Sequence, residues 1–411
     1  MTHNETLPPP TDTATAVTTT PPPLTEPEPT PAADDTAPTA APTAPTADYT
    51  ATVAPTATAA TTATAAPTAT AATTATAVPP DHYKQQLTTQ VLDKCHFTVN
   101  EIREAIRNNL PIEENLHVIA VISNPCLFKR RYQLMRDFIR RMDYEENVIL
   151  YIVELAYKEQ PFGITSAKNP RHLQLRTETT LWHKENMINL GVKHLLPADW
   201  KAMAWVDADI DFENITWAAD TLRVLNGCRD VVQLFSHAID MDSDETTMNV
   251  YNSFAFQYCK NMPYSYKFPN YWHPGFCWAV NRATYDKMGG VFELGILGSS
   301  DHIMSFCFMN KGIMSINDKY TEGFKQEILE FQKRVKNLRM GYIPGVIRHY
   351  FHGSKINRKY VERNEILLRH GYDPKIHIAR DKIGILVPAP GFSTEFGTEI
   401  FEYFRQRNED E

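Results

Sequence analysis

The chain has 411 residues, with 49 acids against 41 bases and a formal net charge of −8. Seven of the acids (Glu5, Asp12, Glu26, Glu28, Asp34, Asp35, Asp48) lie in the first 80 residues, which hold no Lys or Arg, so the remainder has 42 acids against 41 bases. A nearly neutral body excludes a general nucleic-acid binder, which needs a basic surplus to track phosphates. No apolar run reaches the roughly 18 residues of a transmembrane helix, and the first residues show no basic-then-apolar leader. A soluble, cytoplasmic protein is expected. The six cysteines are scattered and none forms a C-x-x-C pair, so neither a zinc site nor a disulfide framework is indicated.

Residues 1–80 are almost entirely Thr, Ala and Pro, with 16 of the 28 prolines and a twelve-residue repeat, TATAATTATAAP at 56–67 and TATAATTATAVP at 68–79. Such a stretch has little apolar surface to offset its ordering entropy. A disordered tail with local polyproline II character is expected. Residues 81–114 read as a helical lead-in, 115–378 as the main domain and 379–411 as a C-terminal extension.

The body alternates strands and helices. Val118–Ile122 is a short β-branched run that stops at Ser123-Asn124-Pro125. Phe128, Tyr132, Met135, Phe138, Ile139 and Met142 then recur at helical spacing. Val148–Val153 reads as a second buried strand. Trp182–Leu190 reads as a helix with Gly191 as its C-cap. Ala202–Val206 is a strand that runs into acids. Val231–Phe235, Phe254–Tyr258 and Phe276–Val280 are further strand candidates, and Arg282–Met288 and His302–Met309 look helical. Val346–Phe351 is a strand that leads into a helix over Ile356–Arg369. The pattern implies an α/β sheet, parallel at least in its first half. Ligands of such sheets sit at the carboxyl ends of the strands, where Asn124 and the acidic cluster fall.

That cluster is Asp207-Ala208-Asp209-Ile210-Asp211, directly after Trp205-Val206. In extended backbone the three carboxylates share one face. They repel one another unless a cation neutralises them, and oxygen ligands suit Mg²⁺ or Mn²⁺. An EF-hand is excluded, because its sixth and twelfth positions are Phe212 and Ala218 rather than Gly and Glu. The bland reading is a solvated acidic turn.

A strand that ends in Asp-x-Asp inside an α/β domain resembles the metal-binding motif of GT-A-fold glycosyltransferases. Further stretches carry the resemblance: Val153-Glu154-Leu155-Ala156-Tyr157, the segment from Trp182 to Gly191, Ala204 to Ile210, and His352-Gly353-Ser354-Lys355. The chain is similar over residues 115–378 to a GT-A-like group found in large viruses and microbes. The resemblance implies a GT-A (Rossmann-like) mixed sheet flanked by helices, with Mn²⁺ or Mg²⁺ as cofactor. It implies a nucleotide-sugar donor and a glycan or protein acceptor.

By the same resemblance, Asp207, Asp209 and His352 are the metal ligands and Lys355 is the phosphate-facing cation. Lys184, Glu185 and Asn186 face the donor. Asp301, at a plausible helix N-cap, is the general base of an inverting transfer. His349 competes with His352, but strand alternation is expected to point it at a different depth. Trp272 to Trp278 is either a sugar-stacking surface or core. The other functions compatible with these residues are a non-catalytic nucleotide- or carbohydrate-binding module and a metal-dependent phosphohydrolase.

Overall fold

The structure is a computed structural model that describes residues 107–267 and 270–411. The Thr/Ala/Pro tail and most of the lead-in lie outside the described residues. In chain order the elements begin with β1 (Leu116–Ser123), α1 (Lys129–Met142), β2 (Val148–Tyr157), β3 (His172–Thr177), α2 (Lys184–Leu195) and β4 (Ala202–Val206). There follow β5 (Ile210–Phe212), α3 (Trp217–Leu225), β6 (Val231–Gln233), β7 (His237–Met241), β8 (Thr247–Ser253) and α4 (Phe254–Cys259). Next come β9 (Trp272–His273), β10 (Cys277–Asn281), α5 (Arg282–Met288), α6 (Ser300–Phe308), α7 (Glu322–Val335), β11 (Met340–Tyr342) and β12 (Val346–His349). The described chain closes with α8 (Arg363–Arg369), α9 (Pro374–His377), β13 (Ile378–Arg380), β14 (Leu386–Pro388) and α10 (Thr394–Gln406).

Seven strands form the main sheet in the order β11-β6-β10-β4-β1-β2-β3. β1, β2, β3 and β4 run parallel, β10 is antiparallel to both β4 and β6, and β11 is parallel to β6. This is the mixed α/β sheet flanked by helices that the sequence leads one to expect. Side-chain alternation builds a core on each face. Val118, Ala120, Ala202 and Ala204 join Phe138 of α1 and Leu222 of α3 on one face, while Ile119, Met203 and Trp205 join Ile188 of α2 on the other. A second sheet, β5-β12-β7-β8-β9, stands beside the carboxyl end of β4.

Several local expectations are corrected. Gly191 is not a C-cap but lies inside α2, which runs on to Leu195. A Cβ there would come within 2.9 Å of Val153 Cγ2 and 3.2 Å of Ile119 Cγ2, so the glycine lets the helix settle on the sheet. Phe254–Tyr258 is helix rather than strand, because Ser253 caps it by accepting from the Phe256 N–H at 3.1 Å. The helix expected over Ile356–Arg369 is broken into a 3₁₀ turn, Lys355–Arg358, and α8, with Lys359 left-handed between them (φ 44°). β3, α7 and α10 had no counterpart in the sequence reading.

Residues 379–411 pack closely against the other described residues. The β13–β14 hairpin bonds to α2, and Phe396, Ile400, Tyr403 and Phe404 of α10 are buried. Among the described residues no helix is long and apolar enough to cross a membrane.

The packing of Gly191 gives a signed prediction. In an exposed helix, Gly→Ala stabilises by up to about 1 kcal/mol. Here the added methyl meets stiff β-branched side chains, so Gly191→Ala should destabilise by about 1–3 kcal/mol, the usual cost of overpacking. Urea unfolding of both proteins decides the sign.

Candidate metal and donor site

β4, the central strand, delivers the acidic segment to the carboxyl end of the main sheet, and there the chain turns. The Asp207 N–H donates to Phe276 O at 2.9 Å, and the Tyr350 N–H donates to Asp209 O at 2.8 Å. β5 then pairs antiparallel with β12, with Ile210 opposite His349. The expectation that Asp207, Asp209 and Asp211 share one face is therefore corrected, because residues 207–209 turn instead of extending. Asp211 faces Arg141 at 3.5 Å and accepts from the Tyr350 hydroxyl at 3.4 Å. Asp207 pairs with Lys184. Only Asp209 of the three meets the histidines.

The Asp209 Oδ2 lies 2.9 Å from His352 Nε2 and 3.7 Å from His349 Nε2, and the two Nε2 atoms are 3.2 Å apart. His349 is thus not set at a different depth. The strand ends at His349, and the Tyr350–Asp209 bond turns the following residues back toward it. Among the described residues these three side chains form a group able to hold a metal ion, with ligand atoms within 4.8 Å of one another. Asp207 lies outside that group.

The residues present fit a divalent ion. Asp209 Oδ1 is buried with no hydrogen-bond partner, which is costly unless something binds it. The ring of His349 is already oriented, because its Nδ1 is 2.7 Å from Oδ1 of the buried Asp240. A carboxylate behind an imidazole in this way fixes the tautomer that leaves Nε2 free for a metal.

Electrostatics divide the site. Burial opposes charge on Asp209, yet His352 and His349 hold its carboxyl well below the usual carboxylate range. His349 is likewise buried, but Asp209 and Asp240 push it up to about 9. Burial and then Arg358 push His352 down.

A second cluster surrounds Lys184. Burial works against its charge, but Asp207, Glu185 and Asp301 raise its proton affinity above the ordinary lysine range. Burial pushes the Asp207 carboxyl up, against the pull of Lys184 and with Asp209 adding to the rise. Glu185 is buried, its Oε2 has no partner, and burial pushes it up to about 8 against the pull of Lys184.

Asp301 is the second residue of α6 and not its cap. Ser299 (φ 70°) holds the cap position, and Asp301 Oδ1 accepts from the His302 N–H at 2.8 Å. Its other oxygen lies against Gly275, where a Cβ would be only 2.7 Å away.

Three expected donor contacts are placed elsewhere. Asn124 uses both amide atoms on Phe128, accepting from its N–H at 3.0 Å and donating to its O at 2.8 Å, so it braces the turn that leads into α1. Asn186 donates to Glu293 Oε2 and Gly384 O and accepts from the Leu386 N–H, so it ties the β13–β14 hairpin to α2. Lys355 donates to Asp240 Oδ2 and, at 2.7 Å, to the Tyr251 hydroxyl. It therefore supports the carboxylate behind His349. Trp272, Phe276 and Trp278 are buried core, with the Trp278 indole bonded to Pro274 O at 2.8 Å.

Sequence reasoning missed Asp240 as a partner of His349. A signal for His349 itself was present in His349-x-x-His352. Nothing local marks Asp240, which reaches its partner by the β7–β12 pairing.

No family model matches the chain, and no curated protein matches it in sequence. Among solved structures it is similar to a mannosyltransferase from Pyrobaculum calidifontis in complex with GDP-Man and Mn²⁺. The identity is 10%, the match covers 70% of this chain and 72% of that one, and the TM-score is 0.34. It is also similar to the catalytic domain of Drosophila β1,4-galactosyltransferase 7 in complex with xylobiose, at 11% identity, 67% and 93% coverage and a TM-score of 0.31.

Glu185 gives a pH signature. An unfolded glutamate ionises near roughly pH 4.3, whereas the folded chain holds this proton up to about 8. The group's contribution to stability is full below that window and is lost as pH rises through it. Glu185→Gln carries no such titration. In thermal melts with EDTA, the variant should gain on the wild type as pH goes from about 5 to about 8. A constant offset would mean that the carboxyl is ionised throughout.

Proposed function

We propose that the chain is a metal-dependent glycosyltransferase that moves a sugar from a nucleotide-diphosphate sugar to a hydroxyl of a glycan or protein acceptor. The observation that carries this reading is the meeting of Asp209, His349 and His352 at the carboxyl end of β4. One carboxylate and two imidazoles are a donor set suited to Mn²⁺, and less to Mg²⁺, which prefers oxygen ligands and water. A divalent ion held there offsets the charge that gathers on a leaving nucleoside diphosphate.

The chain's own groups supply the rest. Lys184, kept charged chiefly by the adjoining Asp207, is assigned to the diphosphate in place of Lys355. Asp301 takes the proton of the acceptor hydroxyl if the transfer inverts. The bare backbone at Gly275 lets that carboxylate approach closely.

A screen of nucleotide-sugars with Mn²⁺, read as donor hydrolysis or transfer and as thermal stabilisation, tests the reading. Asp209→Asn, His349→Ala and His352→Ala should each remove most activity and weaken Mn²⁺ binding while the fold persists. Release of phosphate from simple esters, with no nucleotide-sugar turned over, would favour a phosphohydrolase instead.

Asp301→Asn separates chemistry from binding. It should lower kcat by a factor of roughly 10²–10⁴, the usual worth of a general base, with little change in donor affinity. Near-normal kcat, or retention of anomeric configuration by NMR, would return Asp301 to a structural or acceptor-binding role.

A further inference from the structure

The second histidine of the cluster has an unusual neighbourhood. An imidazole that ligates through Nε2 carries its proton on Nδ1 and needs an acceptor for it. For His349 that acceptor is Asp240. His352 Nδ1 instead faces Arg358 Nη2 at 2.7 Å, and a guanidinium can only donate. The same Arg358 nitrogen also donates to His352 O at 2.9 Å.

One carboxylate stands near that ring nitrogen. Glu409 Oε2 is 3.8 Å from His352 Nδ1. Glu409 is buried, and it receives Arg407 Nε at 2.7 Å and Arg131 through both Nε and Nη2. The segment around it is held at two points. Asp410 accepts from the Lys129 and Arg130 N–H groups at the start of α1, at 3.0 and 2.8 Å. On the other side Gly353 (φ +89°) is packed so tightly that a Cβ would lie 2.8 Å from Asn408 O and 3.0 Å from the Glu409 Cα. Arg358 thus lies against His352 while Arg131 and Arg407 bind Glu409, the carboxylate placed among the three guanidinium groups.

We propose that Glu409 is a positioning residue for His352: it accepts the Nδ1 proton when Nε2 takes a divalent ion, in place of the Arg358 contact, and offsets the guanidinium charge that opposes the ion. The inference rests on the metal site proposed above. It makes the segment 407–410, about 200 residues beyond Asp209, part of that site. Each histidine then has its own carboxylate behind it, Asp240 for His349 and Glu409 for His352.

The test uses the full chain and Mn²⁺ alone, with binding read by the EPR signal of the free ion and by calorimetry, beside thermal melts. Glu409→Gln keeps the shape and removes the charge, and should weaken Mn²⁺ roughly 10–100-fold, the usual loss on removing an outer-shell partner. Asp410→Asn, in the same segment but on α1 only, should bind Mn²⁺ as the wild type does. If Glu409→Gln fails to fold, Arg407→Leu/Glu409→Gln, which removes one charge of each sign, takes its place with the same expected loss. Wild-type affinity in a folded Glu409→Gln or in that double variant overturns the role of Glu409 and leaves the metal site standing. Failure of the wild type itself to bind Mn²⁺ overturns the metal site and this inference together.

Discussion

The antiparallel pairing of β5 with β12 is the constraint on which the site depends. β5 is three residues long and follows the acidic turn directly, while β12 ends at His349. Their register sets Ile210 against His349, and the Tyr350–Asp209 backbone bond closes the corner. Three potential ligands from segments about 140 residues apart are thereby fixed within 4.8 Å of one another. The main sheet supplies the rigid end from which Asp209 projects, because β4 is buried throughout and bonded on both sides.

Charge is distributed around that corner by partner choice. Three aspartates two residues apart would repel one another on a common face. The turn sends them to three different cations or cation-accepting groups: Asp207 to Lys184, Asp209 to the histidines, Asp211 to Arg141. Beyond them lie further layers of opposite sign, Asp240 with Lys355 behind His349 and Glu409 with Arg131 and Arg407 beyond His352. Buried groups of this kind are costly singly and tolerable only when each has a partner. Asp209 Oδ1 and Glu185 Oε2 are buried carboxylate oxygens without a partner, and Asp209 Oδ1, beside the two histidines, points to a ligand.

The glycines show the same economy of space. Gly191 lets α2 approach β1 and β2, Gly275 lets the Asp301 carboxylate lie against backbone, and Gly353 lets residues 407–409 approach His352. Each marks a close approach between parts of the chain far apart in sequence, which no local pattern reports.

Much of the scaffold was legible in the sequence. Ala202–Val206 and Arg282–Met288 were bounded as the structure bounds them, because apolar periodicity and turn residues act locally. The clash of three adjacent carboxylates pointed to a cation, and the resemblance added His352. What the sequence could not decide was which side chains the corner brings together. Asn124 and Asn186 looked like ligand-facing amides, yet the turn before α1 and a hairpin use them up. His349 looked misdirected, and Asp240 and Glu409 carried no local mark. The sequence by itself determined the alternating α/β scaffold and the acidic strand end. The tertiary structure alone decided which side chains meet at the corner and which carboxylates stand behind them, since those distances are set by strand register and by the fold-back of the C-terminal segment onto α1 and Gly353, both of which join residues far apart in sequence.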